Sequence, residues 1–234
     1  MKIYHLKCNW KVIPCYITYK KVKNINLRIN SNQKVKISAP LKAEFQLITE
    51  FIESKKVWID KKINKFEQMI NINPKTLKNN DYLFYLGKKY KIVIGEGDNY
   101  VKIEDGNFYI YTINKNQESI KKIYDQWQKK ESDKILKNIT NEMYPYFQNY
   151  GIRYPNIRVK KMYTRWGSCS FSKGNINLNQ YLVTLPKDVI KYVVIHELAH
   201  FIEPNHSKKF YKLIEKFIPN YNVYRNHLKN IRLK

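Results

Sequence analysis

Apolar positions in the first forty residues recur at short, strand-like intervals. The stretches "IPCYITYK" (13–20), "NINLRIN" (24–30) and "KVKISAP" (34–40) alternate or carry β-branched side chains between polar turns, which predicts three short strands closed by Pro40. From residue 42 to about 69 the spacing becomes helical. Ile48, Ile52, Ile59, Ile63 and Phe66 fall on one face and predict one long helix. "NINPKTLKNND" (71–81) breaks that pattern. Residues 82–94 and 101–113 return to β, the second with Glu104-Asp105-Gly106-Asn107 as a hairpin turn.

Helical spacing resumes over 117–149, where Ile120, Tyr124, Trp127, Ile135, Ile139, Met143 and Phe147 form a stripe best read as core packing. Pro145 frays or kinks its end, and Gly151 suits the residue after it. "NIRVKKMYTRWGSCS" (156–170) and "GNINLNQYL" (174–182) read as two strands joined around Ser172-Lys173-Gly174. In the second, Ile176 and Leu178 face opposite to Asn175, Asn177 and Asn179. A helix is expected from 186 to about 202, with Pro186 and Asp188 in its first turn. It is apolar on most sides and should be buried.

That helix carries "HELAH" (196–200). His196 and His200 lie about 40° apart in projection and one turn apart in height, so both imidazoles reach one point, as two ligands of a tetrahedral ion must. Glu197 projects about 100° from His196, close enough to take a proton from a water on the ion without ligating it. Two histidines hold zinc weakly, so a third ligand is required. Pro204 ends the helix, and a turn there folds His206 back towards the ion. Glu203 and Glu215 are rival third ligands. The alternative for His196 and His200 is a pair of hydrogen-bonded core histidines. Against it, three of the chain's five histidines fall within eleven residues, in HExxH order and on a helix. His5 and His227 lack neighbouring ligand types and read as surface histidines. Three imidazoles with one open position for water describe a catalytic zinc site, one ion per chain.

Composition changes this picture only a little. The formal charge of +25 invites nucleic acid or an anionic surface, but it comes almost wholly from lysine in an Asn-, Ile- and Tyr-rich chain. An A+T-biased coding sequence gives the same pattern by drift, leaving weak nucleic-acid binding as the alternative. Three cysteines, Cys8, Cys15 and Cys169, make neither a disulfide framework nor paired metal clips. With no signal-like or membrane-length apolar run, a cytoplasmic setting is expected.

The segments "TRWGSCSFSKGNINLNQYL" (164–182) and "YVVIHELAHFIEPNHSKKFY" (192–211), with "KKVWIDKK" (55–62), resemble the YgjP-like metallopeptidase family, related to SprT-like and WLM-type zincins. The resemblance implies an α+β fold in which a zincin-like domain packs the HELAH helix on a small sheet. A β-rich N-terminal part with one long helix (1–115) precedes this catalytic domain (116–234). It also carries the ligand role onto His196, His200 and His206 and the base role onto Glu197. In zincins an edge strand beside the cleft pairs with an extended peptide, and "GNINLNQYL" is the candidate for it. Arg165 is placed to steady an oxyanion and Trp166 to wall the cleft; the alternatives are an ion pair and core packing. Cys169 reads as a small packing residue rather than a fourth ligand.

The expected activity is therefore a zinc-dependent hydrolase acting on peptide or protein. One rival applies the same chemistry to a nucleoside triphosphate as a pyrophosphohydrolase, although no Gly-rich phosphate loop is present. The other is a nucleic-acid-associated SprT-like protein.

Overall fold

The structure, a computed structural model, describes residues 2–8, 11–29, 34–68, 70–72 and 76–233, the side chains of 65–68, 70, 71 and 232 excepted. The chain divides into two compact units, residues 1–70 and 71–233, ahead of the 115/116 boundary expected from the sequence.

In the first unit, strands β1 (Lys2–Cys8), β2 (Lys11–Lys20), β3 (Asn26–Ile29) and β4 (Val35–Pro40) form a sheet of order β1-β2-β4-β3. Here β2 and β4 run parallel, and the other pairs are antiparallel. Inward residues Leu6, Ile13, Ile17, Val35 and Ile37 pack against Ile48, Ile52, Ile59 and Ile63. These last four come from two helices, α1 (Phe45–Ser54) and α2 (Lys56–Gln68), where the periodicity predicts one. The break is at Lys55, which ends α1 with φ −100° and ψ 5°. No glycine or proline marks it. Of the expected stripe, the Phe66 side chain lies outside the described residues, as does Met69.

The second unit opens with β5 (Tyr82–Tyr85), β6 (Lys88–Gly95), β7 (Tyr100–Glu104) and β8 (Asn107–Tyr111), in the order β5-β6-β8-β7. Asp105 and Gly106 both have positive φ (46° and 75°), as an Asp-Gly hairpin of the primed type requires. Leu86 and Gly87 (48° and 80°) make a second such turn inside the stretch 82–94. Leu83, Ile92, Phe108 and Ile110 pack on Ile120, Ile123 and Tyr124 of α3 (Gln117–Met143). That packing ties the sheet to the later helices.

After α3, Pro145 opens the short α4 (Pro145–Gln148), and Gly151 takes φ +72°. A three-stranded sheet follows: β9 (Asn156–Lys160), β10 (Gly167–Ser170) and β11 (Asn175–Asn179), in the order β9-β11-β10. Residues 156–170 thus form two strands separated by a loop. The strand expected at the edge is central, because β9 pairs parallel along one side of β11 and β10 antiparallel along the other. Its backbone groups are used on both sides, so it has none to offer a peptide. The edge strands are β9 and β10.

Helices α5 (Lys187–Ala199), α6 (Lys208–Phe217) and α7 (Tyr221–Lys229) complete the unit. The 82–111 sheet reaches the start of α5 through its hairpin tip. Leu86 N–H donates to Val183 O (2.8 Å) and Gly87 N–H to Thr184 O (3.2 Å). A Cβ on Gly87 would sit 2.6 Å from Pro186 Cγ, so only glycine lets the tip come this close. Deeper in, Gln180 Nε2 donates to Gln128 Oε1 (3.0 Å), a buried link between α3 and the turn leading into α5. Among the described residues no helix is long and apolar enough to cross a membrane.

Candidate metal centre

Helix α5 is buried on nearly every side by Val189, Ile190, Val193, Val194, Ile195 and Leu198, which fixes the direction of its few polar residues. His196 and His200 point to one face, and the turn after Pro204 brings His206 to them. One nitrogen from each imidazole lies within 4.8 Å of the other two. The Nε2 atoms of His196 and His206 are 2.9 Å apart. Tetrahedral bonds of 2.0–2.1 Å would put ligand atoms about 3.3 Å apart, so the cluster is close to the size of a zinc site. His200 Nδ1–H donates to the carbonyl of Glu203 (3.3 Å), which leaves the lone pair on Nε2.

The surroundings keep the imidazoles of His196 and His200 unprotonated. Burial, then repulsion from His200 and His206, pushes the His196 pKa down to about 3. His200 is lowered by burial and then by His206. Both are therefore neutral ligand donors at pH 7. Nδ1 of His196 is buried with no hydrogen-bond partner, and its Nε2 meets only the Nε2 of His206. The donor set fits a borderline-soft divalent ion such as zinc.

Phe210 forms the floor. Fully buried, its ring centroid lies 4.9, 4.6 and 4.9 Å from those of His196, His200 and His206. Ser207 caps α6 by accepting from Phe210 N–H (3.3 Å), which fixes the turn carrying both Phe210 and His206. The sequence reading did not single out Phe210; its place four residues beyond His206 on a capped helix was the available signal.

Glu197 is 5% exposed. Burial raises its pKa to about 8, and the charge of Arg165 opposes that rise. Its carboxyl group lies against Gly167, where a Cβ would come within 2.7 Å of Glu197 Cδ. The edge strand β10 therefore runs directly beside this carboxyl group. Arg165 is exposed just ahead of β10 and in no ion pair among the described residues, while Trp166 is half-buried against the core. Cys169 is half-buried, its thiol pushed up to about 12 by burial and by Glu197, and it lies outside the histidine cluster. Glu203 contributes only its carbonyl, and Glu215 is exposed on α6.

One buried side chain holds the loop carrying Arg165. Asn179 Nδ2 donates to the carbonyls of Met162 and Arg165 (2.8 Å each), and Oδ1 accepts from the N–H groups of Met162 (3.3 Å) and Tyr181 (3.2 Å). Removing it leaves part-buried backbone groups of the loop and the buried Tyr181 N–H without this partner, so Asn179→Ala should cost about 2–4 kcal/mol in denaturant unfolding. A loss below about 1 kcal/mol would mean that water or a new partner satisfies the loop instead.

A mixed α+β unit that gathers three imidazoles beside a buried glutamate on one helix has the build of a metal-dependent hydrolase. The chain matches the family described as YgjP-like, metallopeptidase domain, over residues 23–231 and belongs to that family. It is accordingly a metallopeptidase-class enzyme that uses a divalent metal. None of the curated proteins compared is similar enough to count as a relative. Solved structures similar over part of the chain include two metallopeptidase zymogens. One is the metallopeptidase zymogen of Pyrococcus abyssi abylysin (22% identity, 40% of this chain, 90% of that chain, TM-score 0.37). The other is the metallopeptidase zymogen of Methanocaldococcus jannaschii jannalysin (28% identity, 40% of this chain, 91% of that chain, TM-score 0.35).

Proposed function

We propose that the chain hydrolyses peptide bonds with one zinc ion held by His196, His200 and His206 and with Glu197 as general base. The observation that carries this reading is the convergence of three imidazole nitrogens within 4.8 Å beside the buried Glu197. When bound, zinc supplies Lewis acidity to a water and to the scissile carbonyl. Glu197 takes the proton from the attacking water and delivers it to the departing amine nitrogen. Its raised pKa suits a group that must both accept and release a proton near neutral pH.

The substrate lies as an extended strand along the free edge of β10. Main-chain hydrogen bonds there give affinity without demanding a sequence. Gly167, having no Cβ, leaves room for the Glu197 carboxyl group against that strand. Arg165 meets the carbonyl oxygen as it gains charge, and Trp166 backs the loop that carries Arg165. Catalysis is assigned to residues 116–234, and the three free thiols agree with a reducing, cytoplasmic setting.

The test compares zinc-loaded and chelated protein on casein and on a nucleoside triphosphate. Casein should be cut by the loaded protein, spared after chelation and cut again when zinc is restored. Release of pyrophosphate from the triphosphate with casein left intact would overturn the peptidase reading in favour of phosphoanhydride hydrolysis.

A further inference from the structure

The segment "KKVWIDKK" (55–62) has no part in the metal centre, yet its exposure is unusual. On α2, Ile59 is fully buried, but its neighbours Val57 and Trp58 are 81% and 50% exposed. A helix that only covered the sheet would put polar residues at those positions. Val57 and Trp58 instead form one wall of an open groove of about 670 Å³ within the first unit. Phe51, Ser54, Lys55 and Lys61 continue that wall, and Ile25, Asn26 and Leu27 form the other.

The second wall includes the start of β3, the last strand in the sheet order. It pairs with β4 along one side (Leu27↔Ile37, Arg28↔Lys36), and among the described residues no strand takes its other side. Unpaired backbone donors and acceptors therefore run beside an apolar wall. An added strand would put alternate side chains on opposite faces. One set would face Leu27, Phe51, Val57 and Trp58. The other would lie on the outer face beside Arg28 and Lys36, which are both exposed.

Charge selects the partner. Lys55 and Lys61 line the groove, and no carboxylate does among the described residues. The nearby acids are engaged elsewhere: Glu53 accepts from Tyr4 Oη, and Asp60 pairs with Lys11. Cations thus flank both faces of the vacant strand position.

We propose that this groove binds an extended polypeptide segment of alternating apolar and acidic residues, added to β3 as a fifth strand. A single-stranded nucleic acid could use Trp58 and the lysines, but it would leave the β3 backbone and the aliphatic wall unused. Binding here is independent of the peptidase reading.

The experiment follows fluorescence anisotropy of a labelled valine–glutamate alternating peptide, about eight residues long, with the full zinc-loaded chain. Saturable binding is expected. Trp58→Ala, at an exposed position that spares the core, should weaken it at least about 10-fold. Arg28→Glu with Lys36→Glu, both exposed on the outer face where the acidic side chains fall, should weaken it comparably, and a valine–lysine peptide should not bind. N-methylation of alternate peptide nitrogens should abolish binding, because strand pairing needs those N–H groups. Binding unaffected by N-methylation would overturn strand addition. Displacement of the peptide by oligothymidine at physiological salt would overturn the polypeptide assignment in favour of nucleic acid. A dimer in sedimentation that Trp58→Ala dissolves would show that the groove serves a second copy of the chain.

Discussion

Glu197→Gln should lower kcat by about 10²–10⁴-fold on a confirmed substrate while leaving metal content unchanged. Glutamine keeps the length and hydrogen-bonding reach of the side chain but cannot accept the water's proton. The fold should tolerate it. Glu197 is a buried carboxyl group whose pKa is raised to about 8 by desolvation, so a neutral amide resembles the protonated form that the surroundings already favour. Thermal stability should therefore hold or rise slightly. Gly167→Ala approaches the same atom from outside. Its new Cβ would meet the Glu197 carboxyl carbon at 2.7 Å and displace the side chain, since Gly167 itself lies in ordinary strand backbone. A misplacement of about 1 Å can cost about 10²-fold, so this variant should be slow yet keep its metal and its proton acceptor. Full activity in Glu197→Gln would exclude the proposed proton transfer. Loss of zinc from it would make Glu197 a ligand or the support of one.

Much of this site was legible because it is local. HELAH places two imidazoles on one helix face through geometry alone, and Pro204 marks the turn that brings up a third. The stripes over 117–149 likewise report a helix whose partners need not be known. What escaped the sequence depends on partners distant in the chain. Whether β11 is central or at the edge is decided by β9, and nothing within 174–182 records that parallel pairing. The alternation of Asn175, Ile176, Asn177 and Leu178 looks the same in either position. Asn179 breaks the polar-out pattern by being buried, because it satisfies the backbone of the 162–165 loop. The apolar faces of the two helices at 45–68 stay in phase across Lys55, so their periodicity is that of a single helix. The Leu86-Gly87 turn was missed because it puts leucine at positive φ, a conformation that composition does not advertise. Val57 and Trp58 were visible as a motif, but only the fold reveals that they face outward.

His206→Ala should strip the protein of most of its zinc, and Glu203→Gln should not. The two residues belong to the same turn but make different contacts. His206 brings a ring nitrogen to within 2.9 Å of His196 Nε2, whereas Glu203 offers the site only its main-chain carbonyl, which the amide substitution keeps. Glu215→Gln, on the exposed face of α6, should also leave occupancy intact. His206 is itself exposed, so its alanine variant should fold, and any loss of stability should vanish when wild type and variant are compared without metal. His196→Ala should differ in kind. That ring is packed on Phe210 and half-covered, so its removal costs contacts as well as a ligand, and some instability should persist in chelator. Metal analysis beside melting curves with and without chelator separates these cases. Full zinc occupancy in His206→Ala together with its loss in Glu215→Gln would move the third ligand to α6. The turn after Pro204 would then serve only to seat Phe210.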